Sequence, residues 1–263
     1  MKQSIVRRTM SDEAPVFETT TGPVRVITAA SLFDGHDAAI NVMRRLIQTS
    51  GAEVIHLGHD RSAKDVVDCA VQEDAHAVAL TSYQGGHMEY FTYIRQLLDE
   101  AGCEHVRIFG GGGGTITPPE IRDLHKSGIS RIYSPDDGRK MGLMGMIHDL
   151  MGTASSVDLI SKDRLSSLDS PITPEDMAKV GLLLTLSESA DDSDFKSAIS
   201  KVRSSDKEVP VIGFTGTGGA GKSSLLDELM LRIMRDNPDK KVCLLCVDPT
   251  RKRTGGALLG DRI

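Results

Sequence analysis

Short apolar runs punctuate the first half of the chain at residues 24–30, 54–57, 77–80, 106–109 and 129–133. Each has the length of a strand and little polar interruption, the pattern expected of strands covered on both faces of a parallel sheet. Between them lie segments with helical spacing, at about 36–49, 62–73, 89–101 and 118–126, and a fifth follows at 138–151. Ile40, Met43 and Ile47 recur three and four apart, which gives the first of these helices one apolar face for a sheet. Met141, Met144, Ile147 and Leu150 are expected on the inner side of the fifth. Five such units predict an α/β domain over residues 22–151, an open doubly wound sheet with right-handed crossovers whose strand order the pattern does not reveal. In that architecture ligands sit beyond the carboxyl ends of the strands, where Asp34, Thr81 and the glycine run 110–114 fall.

The pattern changes after residue 151. Serine and aspartate cluster at 166–170 and 187–197, with Pro171 and Pro174 between them. Thr173 is placed to cap a short helix, with Pro174 in its first turn and Asp176 at its third position, and residues 181–186 are apolar enough to pack. Residues 152–208 therefore read as an interdomain linker with helical pieces, and residues 1–21 as a polar arm. A second domain starts near residue 209, with a strand at 209–214, a glycine-rich loop, a helix at 222–235 and another strand at 242–247. Residues 209–263 are few for a nucleotide-binding α/β core, so the chain is expected to be a fragment of a longer polypeptide.

Thirty-one basic and 37 acidic residues give a formal net charge of -6. With no long basic block, nucleic acid is not an expected partner. No apolar stretch reaches membrane-spanning length and the first 22 residues lack the apolar core of a signal peptide, so a soluble, cytoplasmic protein is expected. Cys69, Cys103, Cys243 and Cys246 have no disulfide-framework spacing. Cys243 and Cys246 form a C-x-x-C pair within the apolar run 242–247, where an extended backbone would point them to opposite faces; buried, reduced thiols are expected.

The most specific motif lies at residues 216–223, which match the Walker A pattern G-x-x-x-x-G-K-S between a strand pattern and a helix. Gly216, Gly218, Gly219 and Gly221 let successive backbone N–H groups turn toward an oxyanion, and Ala220 lies among them. Lys222 can reach β- and γ-phosphates, and Ser223, followed by Ser224, can offer magnesium an oxygen at the start of a helix whose dipole favours anions. The motif specifies a nucleoside triphosphate and not its base. Asp248, after the next strand, is placed to approach magnesium or its water shell; equally, it ends the strand before Pro249.

A second candidate site surrounds His36. An imidazole just after a strand can be a base, a metal ligand or a surface residue; Asp34, two residues earlier, can hold one ring nitrogen and leave the other free for a metal. One histidine is too few for a protein-built zinc site, whereas a metal that brings its own equatorial ligands needs only one axial ligand from the protein. The glycine run 110–114 permits close approach of a bulky planar group, or makes a mobile loop.

On these residues the segment from Gly22 to about Leu150 resembles the cobalamin-binding domain of the adenosylcobalamin-dependent acyl-CoA mutases and base-off methyltransferases, with their D-x-H-x-x-G, S-x-L and G-G signatures. Asp34 and His36 match the first signature, with Ala39 where the family has glycine; Thr81, Ser82 and Tyr83 stand at the second; Gly111, Gly112 and Gly113 lie in the third. The resemblance implies a flavodoxin-like, Rossmann-type fold with His36 as axial cobalt ligand, Asp34 orienting it, and the displaced base in a groove beside Thr81, Tyr83 and the glycines. Residues 209–263 resemble the start of the G-protein chaperones that load these mutases, through the Walker A segment, residues 247–250 and residues 254–261. That likeness implies a P-loop G domain binding GTP with Mg2+ and places Asp248 and Asp261 in the magnesium and switch environment.

A cobalamin domain followed by a G-protein chaperone is similar to the order in the fused isobutyryl-CoA mutases. The resemblance implies interconversion of isobutyryl-CoA and n-butyryl-CoA by adenosylcobalamin chemistry, with GTP hydrolysis coupled to cofactor loading. It further implies an acyl-CoA substrate held by a barrel domain outside these residues, an adenosyltransferase as cofactor donor and a homodimer at full length. The fragment itself is expected to bind cobalamin without completing the isomerisation. A non-catalytic cobalamin carrier or sensor is the alternative, against which the Walker A segment argues. A receiver domain joined to an ATPase would need a phosphorylatable aspartate after the third strand, where Thr81 and Ser82 stand.

Overall fold

The computed structural model describes residues 17–173, 175–189, 192–203 and 209–246. The chain divides into two compact units, residues 1–206 and 207–263.

In the first unit a two-stranded antiparallel ribbon, β1 (Glu18–Thr19) with β2 (Gly22–Pro23), leads into a five-stranded parallel sheet. Its strands are β3 (Arg25–Ser31), β4 (Glu53–Arg61), β5 (Ala77–Thr81), β6 (Arg107–Gly111) and β7 (Arg131–Tyr133). The expected apolar runs all supply strands, in the spatial order β4-β3-β5-β6-β7, which is the flavodoxin-like order. The connecting helices are α1 (Asp37–Thr49), α2 (Ala63–Gln72), α3 (His87–Glu100), α4 (Pro118–Lys126) and α5 (Pro135–Ala154).

Neighbouring strand residues face opposite sides, so the sheet feeds two cores. Ile27, Val78, Leu80 and Ile108 pack with Val66, Phe91, Ile94 and Leu124 on one side. Val26, Ala77, Ala79 and Phe109 pack with Ile47, Ile147, Leu150 and Met151 on the other. Full burial of each large side chain contributes about 1.5–3 kcal/mol, which is why short strands hold despite their length.

Helix starts follow local hydrogen bonding. Ser62 with Asp65, Thr117 with Glu120 and Ser134 with Asp137 each form a reciprocal cap that satisfies otherwise orphaned N–H groups. The Ser134 cap, followed by Pro135, starts α5 three residues before the expected Gly138. The expected inner face of α5 holds only in its second half. Ile147 and Leu150 are buried, whereas Met141 and Met144 are exposed; Gly142 leaves helical geometry at φ 67° and takes Met141 out of phase, and Met144 lies in the first turn after the break.

Residues beyond α5 fold as α6 (Lys162–Ser166), α7 (Met177–Ser189) and α8 (Asp192–Val202). The helix expected from Thr173 instead begins at Met177. The Thr173 N–H still donates to the Asp176 carboxylate at 2.8 Å, the contact expected of an acid at the third position, and the Asp176 carbonyl accepts the Val180 N–H where the regular helix starts; Pro174 lies outside the described residues. The apolar stretch of α7 packs as expected of it. Leu182, Leu183 and Leu186 meet Leu168, Ala198 and Val202, and α7 lies so close to α2 that a Cβ on Gly181 would sit 2.8 Å from the Val71 carbonyl oxygen.

A buried polar cluster joins these helices to the sheet. Asp74 takes a 2.6 Å contact from Arg164 and a 2.7 Å hydrogen bond from the Thr185 hydroxyl, and the Arg25 guanidinium also reaches Thr185. His76 and His105 lie beside it. Burial pushes both imidazoles down to about 4, helped by Arg25 and Arg164 at His76 and by Arg164 at His105, although the Asp74 charge works against this.

The second unit holds one regular helix among its described residues, α9 (Lys222–Asp236). The strands expected at 209–214 and 242–247 are not formed as such. Among the described residues neither run joins a ladder, Val211 and Leu245 are 93% and 87% exposed, and Val247 lies outside the described residues. An apolar run becomes a strand only when another strand takes its N–H and C=O groups. The thiols are likewise unlike the expectation in part: Cys103 is buried, Cys69 half-buried, and Cys243 and Cys246 are exposed.

Candidate functional site

The carboxyl edge of the sheet carries the first site, at the switch point where the chain passes from β3 outward to β4 and then back across to β5. After Ser31 the chain turns, with the Asp34 N–H donating to the Ser31 carbonyl at 3.0 Å, and this places the Asp34 side chain inside the edge at 1% exposure. One Asp34 oxygen accepts the His36 N–H at 2.9 Å and lies 2.8 Å from His36 Nδ1. The other accepts the Tyr83 N–H, at 2.6 Å, from the loop after β5. Burial would raise the Asp34 carboxyl, but the N–H groups of Tyr83 and His36 together with the imidazole outweigh it and hold the group below the usual carboxylate range. An ionised carboxylate only accepts, so Nδ1 carries the imidazole proton and the Nε2 lone pair is left free. The His36 side chain is 74% exposed, which turns that nitrogen outward.

Neighbouring groups frame the imidazole. The Tyr83 ring lies 5.5 Å from it, centroid to centroid, tilted by 47°. The Thr81 hydroxyl is buried and has no hydrogen-bond partner among the described residues, which leaves a polar group to be satisfied by something entering the groove. Beneath it Ser31 donates to Ser82 at 2.9 Å, a buried link between β3 and the end of β5. No spacing in the chain points to Ser31, because this link depends on strand pairing between residues 51 apart.

Both explanations for the glycine run give way in part to internal packing. A Cβ on Gly110 would lie 2.4 Å from the Phe91 ring, and one on Gly112 1.9 Å from the Ser82 carbonyl oxygen. Gly113 has φ +57° and faces the Tyr83 ring, and residues 113–115 form a 3-10 turn. Gly111 pairs with Thr81 and Tyr133, and its carbonyl accepts the Ser82 N–H at 2.9 Å. These residues fit a bulky metal-centred ring carrying a displaced base: one outward imidazole nitrogen, one orphaned hydroxyl and a glycine floor without projecting side chains.

The second site belongs to the second unit. Gly219 and Gly221 both take φ +77°, the left-handed region that glycine enters without a Cβ clash, and Gly221 caps α9. The turn is closed by the Ala220 N–H on the Thr217 carbonyl and continued by the Leu225 N–H on Gly221. Lys222 folds back over the loop and donates to the carbonyls of Gly216 and Thr217, both at 3.0 Å. Gly218, Ser223 and Ser224 are exposed around it. Asp248 and Asp261 lie outside the described residues.

Both sites lie within segments that match known families. Residues 24–136 match the B12 binding domain family, and residues 180–263 match the family of methylmalonyl Co-A mutase-associated GTPase MeaB. The chain is 52% identical over 249 residues to a fused isobutyryl-CoA mutase of Geobacillus kaustophilus, covering 91% of this chain and 22% of that protein. It is 51% identical over 241 residues to a fused isobutyryl-CoA mutase of Cupriavidus metallidurans, with the same coverage of each. A 2-hydroxyisobutanoyl-CoA mutase small subunit of Aquincola tertiaricarbonis is 31% identical over 115 residues, covering 43% of this chain and 82% of that subunit. The chain thus spans about one fifth of the length of the fused relatives it matches. With a B12-binding domain, a GTPase segment behind it and half of its residues shared along nearly its whole length, this chain belongs to the fused isobutyryl-CoA mutase family.

Proposed function

We propose that this chain supplies the cofactor-binding and nucleotide-binding end of a mutase that reversibly interconverts isobutyryl-CoA and n-butyryl-CoA in the cytoplasm. When bound, adenosylcobalamin supplies radical initiation by homolysis of its cobalt–carbon bond. The chain's own part is to hold and orient. His36 would hold the cobalt through Nε2, and Asp34 would keep the proton on Nδ1 so that this nitrogen stays available. The Thr81 hydroxyl hydrogen-bonds the displaced base, with Tyr83, Gly111, Gly112 and Gly113 lining its groove. One observation carries the reading: an imidazole 74% exposed whose Nδ1 stands 2.8 Å from a buried carboxylate.

The second unit binds GTP. Residues 216, 218–221 and 224 wrap the phosphates, Lys222 exchanges its two carbonyl contacts for phosphate oxygens, and Ser223 with Asp248 and Asp261 holds Mg2+. Hydrolysis there supports loading of the cofactor from an adenosyltransferase. The acyl-CoA substrate binds a barrel domain beyond these residues, and the whole protein works as a homodimer.

Titration of the purified chain with hydroxocobalamin tests the first site. The spectrum of a histidine-ligated, base-off form is expected with the wild type and lost with His36→Ala, with affinity weakened by about 10- to 100-fold. An unchanged isotherm and spectrum for the variant would end the ligand assignment.

A further inference from the structure

One residue beside His36 is held in a way that neither its fold nor the cofactor motif explains. Phe33 occupies the third position of the turn from Ser31 to Asp34, at φ 62°, a conformation that favours glycine and is uncommon for an aromatic residue. Its side chain is 83% exposed, so no core packing offsets the strain. The turn is fastened from the neighbouring strand: the Phe33 N–H donates to Asp60 Oδ1 at 2.7 Å. Asp60 itself takes φ 56°, near the end of β4, where the register against β3 shifts between Ala29 and Ser31. Two strained residues and a bulged strand thus cooperate to present one aromatic ring to solvent at the sheet edge that carries Asp34 and His36. Strain kept at a site by its surroundings points to a use at that site.

We propose that Phe33 is a positioning residue for cobalamin, an apolar prop against which the corrin macrocycle rests when His36 ligates its metal. A macrocycle centred on the His36 Nε2 is far wider than an imidazole and meets the side chains that flank it. Tyr83, on the loop after β5, has its ring 5.5 Å from the imidazole, and Phe33 stands on the loop after β3 that carries Asp34 and His36. A ring carried on a backbone already fastened in place gives up only its own rotamer freedom on contact, so most of its buried area counts toward affinity. The inference rests on the His36 reading and adds to it a residue that the D-x-H signature does not contain.

The Phe33→Gly variant separates the ring from the fold, because glycine accepts the left-handed backbone. In titrations of the purified chain with hydroxocobalamin, Phe33→Gly is expected to bind about five- to ten-fold more weakly. It should still reach the histidine-ligated spectrum at saturation, and its cofactor-free melting temperature should equal or exceed that of the wild type. Asp60→Ala, which unfastens the turn, should weaken binding in the same direction. An affinity for Phe33→Gly within twofold of the wild type, or a lowered melting temperature without cofactor, overturns the proposal. If Phe33→Gly binds like the wild type while His36→Ala loses the spectrum, Phe33 alone is dismissed. If the wild type binds no cobalamin, the His36 assignment fails and takes Phe33 with it.

Discussion

The two sites are built on opposite plans. The His36 site is assembled from three strand ends, and its central carboxylate is buried and ties a loop after β3 to a backbone N–H 49 residues further on. The phosphate loop is made by consecutive residues, with two left-handed glycines and a lysine that satisfies itself on carbonyls five and six residues back. A site of the first kind inherits the stability of its sheet. One of the second kind depends on local turns and the helix that follows them.

The severest test of this contrast is to weaken the sheet unit at its buried polar cluster. Arg164→Ala removes the guanidinium that meets the buried Asp74 side chain at 2.6 Å, which should cost the first unit roughly 3–5 kcal/mol. All four tyrosines, at 83, 90, 93 and 133, lie in that unit and the chain has no tryptophan, so tyrosine emission in urea reports its unfolding. The midpoint should fall steeply while the phosphate loop, being local, keeps its affinity for a nucleoside triphosphate.

Acid should act on the same unit next. His76 and His105 are held down to about 4 by burial and nearby arginines, against an ordinary value of 6.5. As pH falls the unfolded chain takes up these protons first. The contribution is therefore fully present above about pH 6.5 and is lost between 6.5 and 4, on the order of a few kcal/mol in total. Urea midpoints measured across that range should decline with falling pH; a flat profile would mean that the two imidazoles are not held neutral in the fold.

The smallest effect on stability belongs to the phosphate loop. Lys222→Ala should change the tyrosine-monitored midpoint by less than about 0.5 kcal/mol, since its contacts are exposed and local. Triphosphate binding, followed by equilibrium dialysis with GTP, should be lost. A large fall in first-unit stability would show that the two sites are not energetically separate.

Much of this organisation is legible in the order of residues. The five strands appear as apolar runs because a strand covered on both faces has no polar alternation to confuse it. Asp34 and His36 are two residues apart, and the phosphate loop is one continuous motif, so both stand out. Other features depend on a change of direction or a distant partner. Met141 and Met144 share the spacing of Ile147 and Leu150 but not their burial; Gly142 breaks the helix between Met141 and the rest, and Met144 lies in the first turn after that break. The runs at 209–214 and 242–246 have the composition of strands without the pairing that makes one.

Patterns local to the chain suffice to place the strands and most helices of the first unit, and to name the residues that carry imidazole, carboxylate and phosphate-loop chemistry, since periodicity and short motifs are properties of neighbours. The strand order, the Tyr83 N–H on Asp34, the orphaned Thr81 hydroxyl and the fastening of Phe33 by Asp60 come only from the folded sheet. Each of these joins residues far apart in the chain, and such a meeting depends on how the sheet pairs and packs, which no window of neighbouring residues contains.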